Sequence, residues 1–213
     1  GGAVQTFIQP LAASFRGEPV KVEFQPMGKL VKALAEGYPA DMVIVTQEVL
    51  AKLALQGKPV ARVGVGVGVH ESAPAPDISS VEAFRRTLLA AKSVIYMDPE
   101  IGTSGKHVAE VLSRLGIESE LRPKTILGQG GQVAEAVGRG EVELALHQIS
   151  EILPVKGVTL VGPLPKDLQK ITVYSAGLAT RTGAPEAARA FIAFVTRPAF
   201  KAKFAAAGLD YRE

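Results

Sequence analysis

Hydrophobic positions in the first quarter of the chain switch between helical and strand spacing. Apolar residues recur with helical periodicity from Val4 to Phe15 and again in "GKLVKALAEG". Alternation typical of a strand covers Val20 to Phe24, and a short apolar run from Asp41 to Thr46 is followed by a further helical pattern. This order of strand, helix, strand and helix predicts a parallel sheet covered by helices.

A run of alternating valines and glycines, "ARVGVGVGVH", extends from Ala61 to His70. Strict alternation with β-branched residues predicts a strand. Glycine at every second position leaves one face of the strand bare, so that another backbone can lie close to it. The alternative is a flexible glycine-rich linker, and the β-branched residues between the glycines argue against it.

A second series of strands and helices follows the Pro-rich loop "ESAPAPDISS". Predicted helices cover Val81 to Ala91, Ser104 to Leu115 and "QVAEAVGRG", and two amphipathic helices close the chain. The predicted strands are "SVIYM", a segment near "KTILG", "VELALHQI", "VTLVGPLP" and "ITVYSAGLAT".

This order predicts an α/β fold of two lobes joined by two hinge strands. The first lobe would hold residues 1–65 and 176–213, and the second lobe would hold residues 66–175. Ligands of open α/β sheets bind outside the carboxyl ends of the strands. We therefore expect those ends to line one ligand cleft, which hinge motion of the lobes would close.

Composition and charge narrow the classes of function. The 213 residues are 47% hydrophobic and 21% charged, as in ordinary globular proteins. A net charge of +3 without a Lys/Arg block argues against nucleic acid as a partner. The absence of cysteine excludes disulfides and a thiolate zinc site, and no motif suggests another metal or a cofactor. The chain has no run of 18 consecutive apolar residues, so insertion into a membrane is not predicted. The hydrolase motif GxSxG is also absent.

The segment "MDPEIGTSGKHVAEVL" places Thr103, Ser104 and Gly105 between a predicted strand and a predicted helix. The start of a helix has unpaired backbone N–H groups and a partial positive charge. Glycine and hydroxyl residues there favour the binding of an anion. An N-cap role for Thr103 or Ser104 explains the same residues without a ligand, and both interpretations stay open.

Further polar or glycine-rich positions fall at the ends of predicted strands or in the loops after them. Each has an ordinary explanation as well, such as a surface lysine, a glycine turn, an interior histidine or a packed tyrosine. An anionic ligand would account for a lysine in the first turn of a helix, where it otherwise opposes the dipole. These candidate ligand residues are Met27, Gly28 and Lys29 in "PMGKL", Gln129 and Gln132 in "GQGGQV", His147 and Gln148 in "HQIS", and Tyr174 in "VYSAG".

The order of segments resembles that of the type II periplasmic solute-binding proteins, in the branch that includes the molybdate-binding proteins. "GYPADMVIVT", from Gly37 to Thr46, is the strongest local match, and the resemblance covers nearly the whole chain. It implies a monomer in the periplasm, with a leader removed before Gly1, that delivers a small anion to an ABC transporter permease. By position, it implies ligand contacts for Thr103, Ser104, Gly105, His147, Gln148, Tyr174 and residues 26–29.

Two features depart from the pattern of that family. The family's first strand would precede Gly1, where this chain begins with "GGAV". The molybdate-binding proteins hold their oxyanion with neutral donors, whereas Lys29, Lys106 and His107 lie on or near the predicted ligand loops. These cationic residues favour a ligand rich in carboxylates over molybdate.

The same branch also includes aconitate isomerase, a periplasmic enzyme that shifts a proton within a tricarboxylate to convert trans- to cis-aconitate. On this second hypothesis, Lys29 or Lys106 would bind carboxylates, and His107 or His147 would move the proton. Lys29 is also a candidate catalytic residue. A third hypothesis is a cytosolic sensor domain with the same fold.

Overall fold

The computed structural model describes residues 2–130 and 133–210, so the candidate ligand residue Gln132 lies outside the described residues. The chain forms two compact units. Unit 1 comprises the residues up to Val63 and those from Thr172 onward, and unit 2 comprises Gly64–Ile171. The chain therefore passes between the units at 63/64 and 171/172, where the sequence pattern suggested 65/66 and 175/176.

The described residues form ten α-helices and eight β-strands. The helices are α1 (Gln5–Ser14), α2 (Met27–Ala35), α3 (Gln47–Lys52), α4 (Val81–Ala90), α5 (Thr103–Leu115), α6 (Glu118–Leu121), α7 (Glu135–Gly138), α8 (Ile149–Ile152), α9 (Pro185–Val195) and α10 (Lys201–Ala206). The strands are β1 (Met42–Thr46), β2 (Gly57–Val63), β3 (Val65–His70), β4 (Val94–Met97), β5 (Thr125–Gly128), β6 (Leu144–Gln148), β7 (Val158–Pro163) and β8 (Thr172–Leu178).

The sheet of unit 1 has three strands in the order β1-β8-β2, and both pairings are antiparallel. The prediction of a parallel sheet is therefore wrong for this unit. Parallel pairing of β1 would have required the predicted strand Val20–Phe24, and residues 19–26 form neither helix nor strand. A strand needs a neighbour for its backbone hydrogen bonds, and alternation in the sequence does not supply one.

A cavity of about 960 Å³ lies within unit 1. It is lined on one side by residues 18–24 and on another by residues 38–44, which include the start of β1. Apolar side chains from α2, among them Leu30 and Leu34, also face it. The segment predicted as a strand thus borders open space, and it belongs to neither sheet of the described residues.

The sheet of unit 2 has five strands in the order β5-β4-β6-β3-β7. The pairings of β4 with β5 and β6 are parallel, whereas β3 runs antiparallel to β6 and β7. The valine-glycine run does form a strand, but it divides at Gly64: residues before it belong to β2 of the other unit. Valines of β3 enter the main core of unit 2, together with buried side chains such as Phe84 and Leu88.

The glycines of β3 lie beneath helix α8. A Cβ atom added to Gly66 would lie 2.8 Å from Cγ1 of Ile149 and 3.0 Å from the carbonyl oxygen of Gly162. At Gly68 it would lie 3.1 Å from Cγ2 of Ile152. Side chains of β7 lie equally close, with Leu160 at 2.9 Å from the Gly66 position and Val158 at 3.1 Å from the Gly68 position. The bare face predicted for this strand is therefore covered by side chains of both α8 and β7.

We expect Gly66→Ala to lower the free energy of unfolding by about 1–3 kcal/mol, because the added methyl group overpacks the contacts of β3 with α8 and β7. Gly130→Ala is the matched control, since nothing lies within 4 Å of a Cβ at that position. Urea unfolding followed by far-ultraviolet circular dichroism measures both. Equal midpoints for the two variants would show that the groups around Gly66 accommodate the methyl group without a loss of stability, and would contradict the prediction.

Candidate functional site

Three parallel strands of unit 2 end at one edge of its sheet. β4 ends at Met97, β5 at Gly128 and β6 at Gln148. The carboxyl ends of parallel strands are the usual position of ligand sites in α/β proteins. Candidate residues predicted from the sequence lie at or after these strand ends. Helix α5 begins at Thr103, after a connection formed by residues 98–102, and α8 begins directly after β6. The structure therefore gathers these residues at one edge.

Helix α5 begins at this edge without a side-chain cap. Its N-cap residue is Gly102, and neither Thr103 nor Ser104 caps the helix. The N-cap explanation for these two hydroxyl residues is therefore wrong. The first turn of this 13-residue helix carries backbone N–H groups and the positive end of the helix dipole. An anion is the natural partner for such a turn.

Gly105 allows α5 to approach the end of β4. A Cβ atom at this position would overlap the carbonyl oxygen of Met97. The missing side chain lets the helix lie directly against the backbone of Met97 and Asp98. Gly105 thus has a packing role that does not depend on any ligand.

Ser104, His147 and Glu151 form a chain of contacts from α5 through β6 to α8. The Oγ atom of Ser104 lies 3.0 Å from Nδ1 of His147, and Nε2 of His147 lies 3.6 Å from Oε1 of Glu151. Ser104 is 3% exposed and His147 is 1% exposed. In the tautomer with a proton on Nε2, Nδ1 accepts a hydrogen bond from the Ser104 hydroxyl. At 3.6 Å, Nε2 and the Glu151 carboxylate are not hydrogen-bonded, and Nε2 has no hydrogen-bond partner among residues 2–130 and 133–210.

The side chain of Gln148, which follows His147 at the end of β6, is also buried. It is 2% exposed, and neither its Oε1 nor its Nε2 atom has a hydrogen-bond partner among residues 2–130 and 133–210. Buried amides in folded proteins nearly always have partners. The amide of Gln148 is thus able to donate to and accept from a ligand that reaches the edge of the sheet.

His107 lies on α5 but has a different environment. Its Nε2 atom donates to the carbonyl oxygen of Leu168 at 2.9 Å, and Glu110 lies 3.9 Å from Nδ1. Burial lowers the pKa of His107, and the hydrogen bond to Leu168 opposes that shift only in part. The neutral ring joins α5 to the turn after β7.

The other candidates occupy more exposed or separate positions. Gln129 is exposed, and its Nε2 atom donates to Oδ2 of Asp98 at 3.1 Å, which brings an acidic group to the same edge. Lys106 is exposed on α5. The remaining candidates belong to unit 1: Met27 is buried at the start of α2, Gly28 and Lys29 are exposed there, and Tyr174 is buried in β8 opposite Thr46 and Ala61.

Glu151 was not among the site residues predicted from the sequence. The available signal was its spacing of four residues from His147, which places two side chains on one face of a helix. That signal is weak here, because His147 belongs to β6 and α8 is only four residues long. Recognition of the pair required the structure.

Neither a metal centre nor a membrane span is found in the parts of the chain that the structure describes. No cluster of three or more histidine and acidic side chains there is arranged to coordinate a metal ion. None of the helices formed by those residues combines the length and the apolar character that a bilayer crossing requires.

The chain belongs to the bacterial extracellular solute-binding protein family, whose model matches residues 1–210. A more particular relative is an aconitate isomerase from a Pseudomonas species. It is 33% identical to this chain over 210 residues, which cover 92% of this chain and 79% of that protein.

Solved structures of similar proteins show the two-lobed type II fold. The periplasmic molybdate-binding protein of Azotobacter vinelandii superposes with a TM-score of 0.75 at 16% identity, covering 100% of this chain and 95% of that one. The sulfate-binding protein of Mycobacterium tuberculosis gives 0.72 at 21% identity, covering 98% and 82%. A putative phosphate transporter substrate-binding protein from Clostridium perfringens, with bound phosphate, gives 0.73 at 13% identity, covering 100% and 97%.

The lowered pKa of His107 predicts a pH dependence of stability. The unfolded chain takes up a proton near the ordinary value of 6.5, whereas the folded chain does so only at lower pH. The contribution of neutral His107 is therefore present above pH 6.5 and is lost as the pH falls toward the lowered pKa. Denaturant unfolding from pH 8 to pH 5 should show a smaller loss of stability for His107→Gln than for the wild type. An equal loss of stability between pH 8 and pH 5 in the two proteins would contradict this assignment.

Proposed function

We propose that this chain binds a small anion, either an oxyanion or a di- or tricarboxylate, at the carboxyl edge of the sheet in unit 2. The observation that carries the proposal is the uncapped first turn of α5, which follows β4 at the sheet edge where β6 ends. At the end of β6, the buried amide of Gln148 has no hydrogen-bond partner among the described residues. Backbone N–H groups of that turn would donate to the anion. The hydroxyl of Thr103, which is half-buried, would add a further neutral donor.

At this site, charge would attract the anion and hydrogen bonding would orient it. The positive end of α5 attracts negative charge, with a typical effect of about 0.3–1 kcal/mol at exposed sites and about 2 kcal/mol when partly buried. Gln148 would fix the orientation of the ligand, since its amide offers both a donor and an acceptor. Asp98 at the same edge would disfavour anions that approach from the side of Gln129.

The family resemblance adds further predicted ligand contacts, which are part of the same proposal. They are Met27, Gly28, Lys29, Gly105, Gln129, Gln132 and Tyr174.

The biological role that we propose is that of the solute-binding component of an ABC-type transporter. The family is one of extracellular solute-binding proteins, and the named structural relatives bind molybdate, sulfate or phosphate. In this role the chain would act in the periplasm as a monomer, after removal of a leader. It would pass its anion to a membrane permease.

A second candidate function is isomerisation of trans- to cis-aconitate. The relative that favours it is the aconitate isomerase at 33% identity. The structural observation that favours it is the buried imidazole of His147, which contacts a hydroxyl on one side and faces a carboxylate on the other. Both candidate functions use the same anion site.

We expect Gln148→Leu to weaken anion binding while leaving the protein at least as stable as the wild type. Loss of the amide removes hydrogen bonds to the ligand, a cost of about 1–3 kcal/mol or roughly tenfold to hundredfold in Kd. The same substitution removes a buried amide that has no partner in the described chain. Isothermal titration calorimetry with molybdate, sulfate, phosphate and trans-aconitate measures the affinity.

Gln169→Leu is the matched control for this experiment. The amide of Gln169 bonds the backbone N–H and carbonyl groups of Val65 at 3.0 and 2.7 Å. Its loss should lower stability by about 1–3 kcal/mol and leave affinity unchanged. An unaltered Kd in Gln148→Leu for every anion that the wild type binds would refute the proposed site.

The second candidate function predicts that the protein interconverts trans- and cis-aconitate without any added cofactor. Proton NMR distinguishes the two isomers during incubation of the purified protein with either one. An equilibrium mixture reached from both directions would establish isomerase activity. Tight binding of trans-aconitate without conversion would instead leave solute binding as the function.

A further inference from the structure

The contact chain of Ser104, His147 and Glu151 links three elements of unit 2. Ser104 stands in the first turn of α5, His147 near the end of β6, and Glu151 in α8. The two distances along the chain are 3.0 Å and 3.6 Å. The Glu151 side chain is 13% exposed, so all three polar groups are largely shielded from water.

Such an arrangement is costly if its only role is packing. An imidazole and a carboxylate both lose hydration when they are buried, and an apolar pair of similar volume is often more stable. Both ring nitrogens of His147 face groups that exchange protons, whereas His107 donates to a backbone carbonyl oxygen. The hydroxyl at the end of this chain lies in the turn where the anion would bind.

We propose that Ser104, His147 and Glu151 form a proton relay that acts on an unsaturated tricarboxylate bound at the first turn of α5. This inference rests on the isomerase candidate for the function and assigns its residues. Ser104 would be the catalytic residue, because its hydroxyl would touch the reacting carbon. His147 and Glu151 would act through Ser104 as positioning residues.

The proposed step moves one proton and conserves all electrons. A C–H bond of the substrate methylene group breaks, and its proton passes to Oγ of Ser104 while the hydroxyl proton passes to Nδ1 of His147. The electron pair spreads over the allylic carbons and the adjacent carboxylate, close to the N–H groups of α5, which stabilise the added charge. The proton then returns to the other end of the allylic system, and rotation within that intermediate exchanges trans and cis geometry.

Glu151 has two tasks in this relay. Its negative charge, 3.6 Å from Nε2 of His147, would favour the tautomer with a proton on Nε2, so that Nδ1 is free to accept from Ser104. It also balances the positive charge that develops on the ring when Nδ1 takes up the proton. No metal, oxidant or second substrate enters the step.

The test combines calorimetric binding with proton NMR of aconitate, which follows the interconversion of the trans and cis isomers. In the wild type we expect both binding of trans-aconitate and its isomerisation. Ser104→Ala and His147→Gln should each lower kcat by about a hundredfold or more, the usual contribution of acid–base catalysis, with KM close to that of the wild type.

Glu151→Gln should lower kcat in the same way, and a purely structural role would instead change KM or the melting temperature. Glu110→Gln is the matched control, because Glu110 also lies beside a buried histidine, at 3.9 Å from Nδ1 of His107, but outside the relay. It should keep wild-type kcat and KM.

Three results would overturn the relay, and they are distinguishable. Binding of trans-aconitate to the wild type without isomerisation would remove the relay and leave the anion site intact. If the wild type neither binds nor isomerises any tricarboxylate, the proposed tricarboxylate ligand is wrong as well. Isomerisation at the wild-type rate in Ser104→Ala would leave an isomerase that uses other residues.

Discussion

The close approach of α5 to the end of β4 is the constraint on which the candidate site depends. Gly105 carries no side chain, so the helix lies against the carbonyl group of Met97. That position brings Ser104 within hydrogen-bond distance of His147, which lies 43 residues later in the chain. It also directs the uncapped first turn of α5 toward the edge where β4 and β6 end. A larger residue at position 105 would separate these groups.

Local periodicity was sufficient to predict most of the fold, and pairing between distant segments was not. The valine-glycine alternation identified β3, and helical spacing identified α1, α2 and α5. The strand predicted at Val20–Phe24 failed because alternation describes only which faces a segment exposes and says nothing about its neighbours in a sheet. The division of this segment into β2 and β3 at Gly64 was also not predictable, since the pattern of valines and glycines continues through that position.

The same contrast between local patterns and long-range contacts applies to the candidate site. Ser104, His147 and Gln148 were each predicted from their positions after or at the end of strands, because the carboxyl ends of parallel strands meet at one edge. Their mutual contacts were not predictable, since they depend on how closely α5 approaches the sheet. Glu151 was missed altogether, and the different environments of His107 and His147 follow from contacts with Leu168 and Ser104 that no local pattern encodes.

The glycines of β3 have a consequence for chemistry as well as for packing. Gly66 stands opposite His147 in the sheet, and α8, which carries Glu151, rests on the face where Gly66 and Gly68 have no side chains. Because these glycines have no side chains, α8 can lie close to the sheet, and this closeness determines the distance between the Glu151 carboxylate and the His147 imidazole. The valine-glycine repeat of an ordinary-looking strand thus helps to set the separation of a histidine and its acidic neighbour.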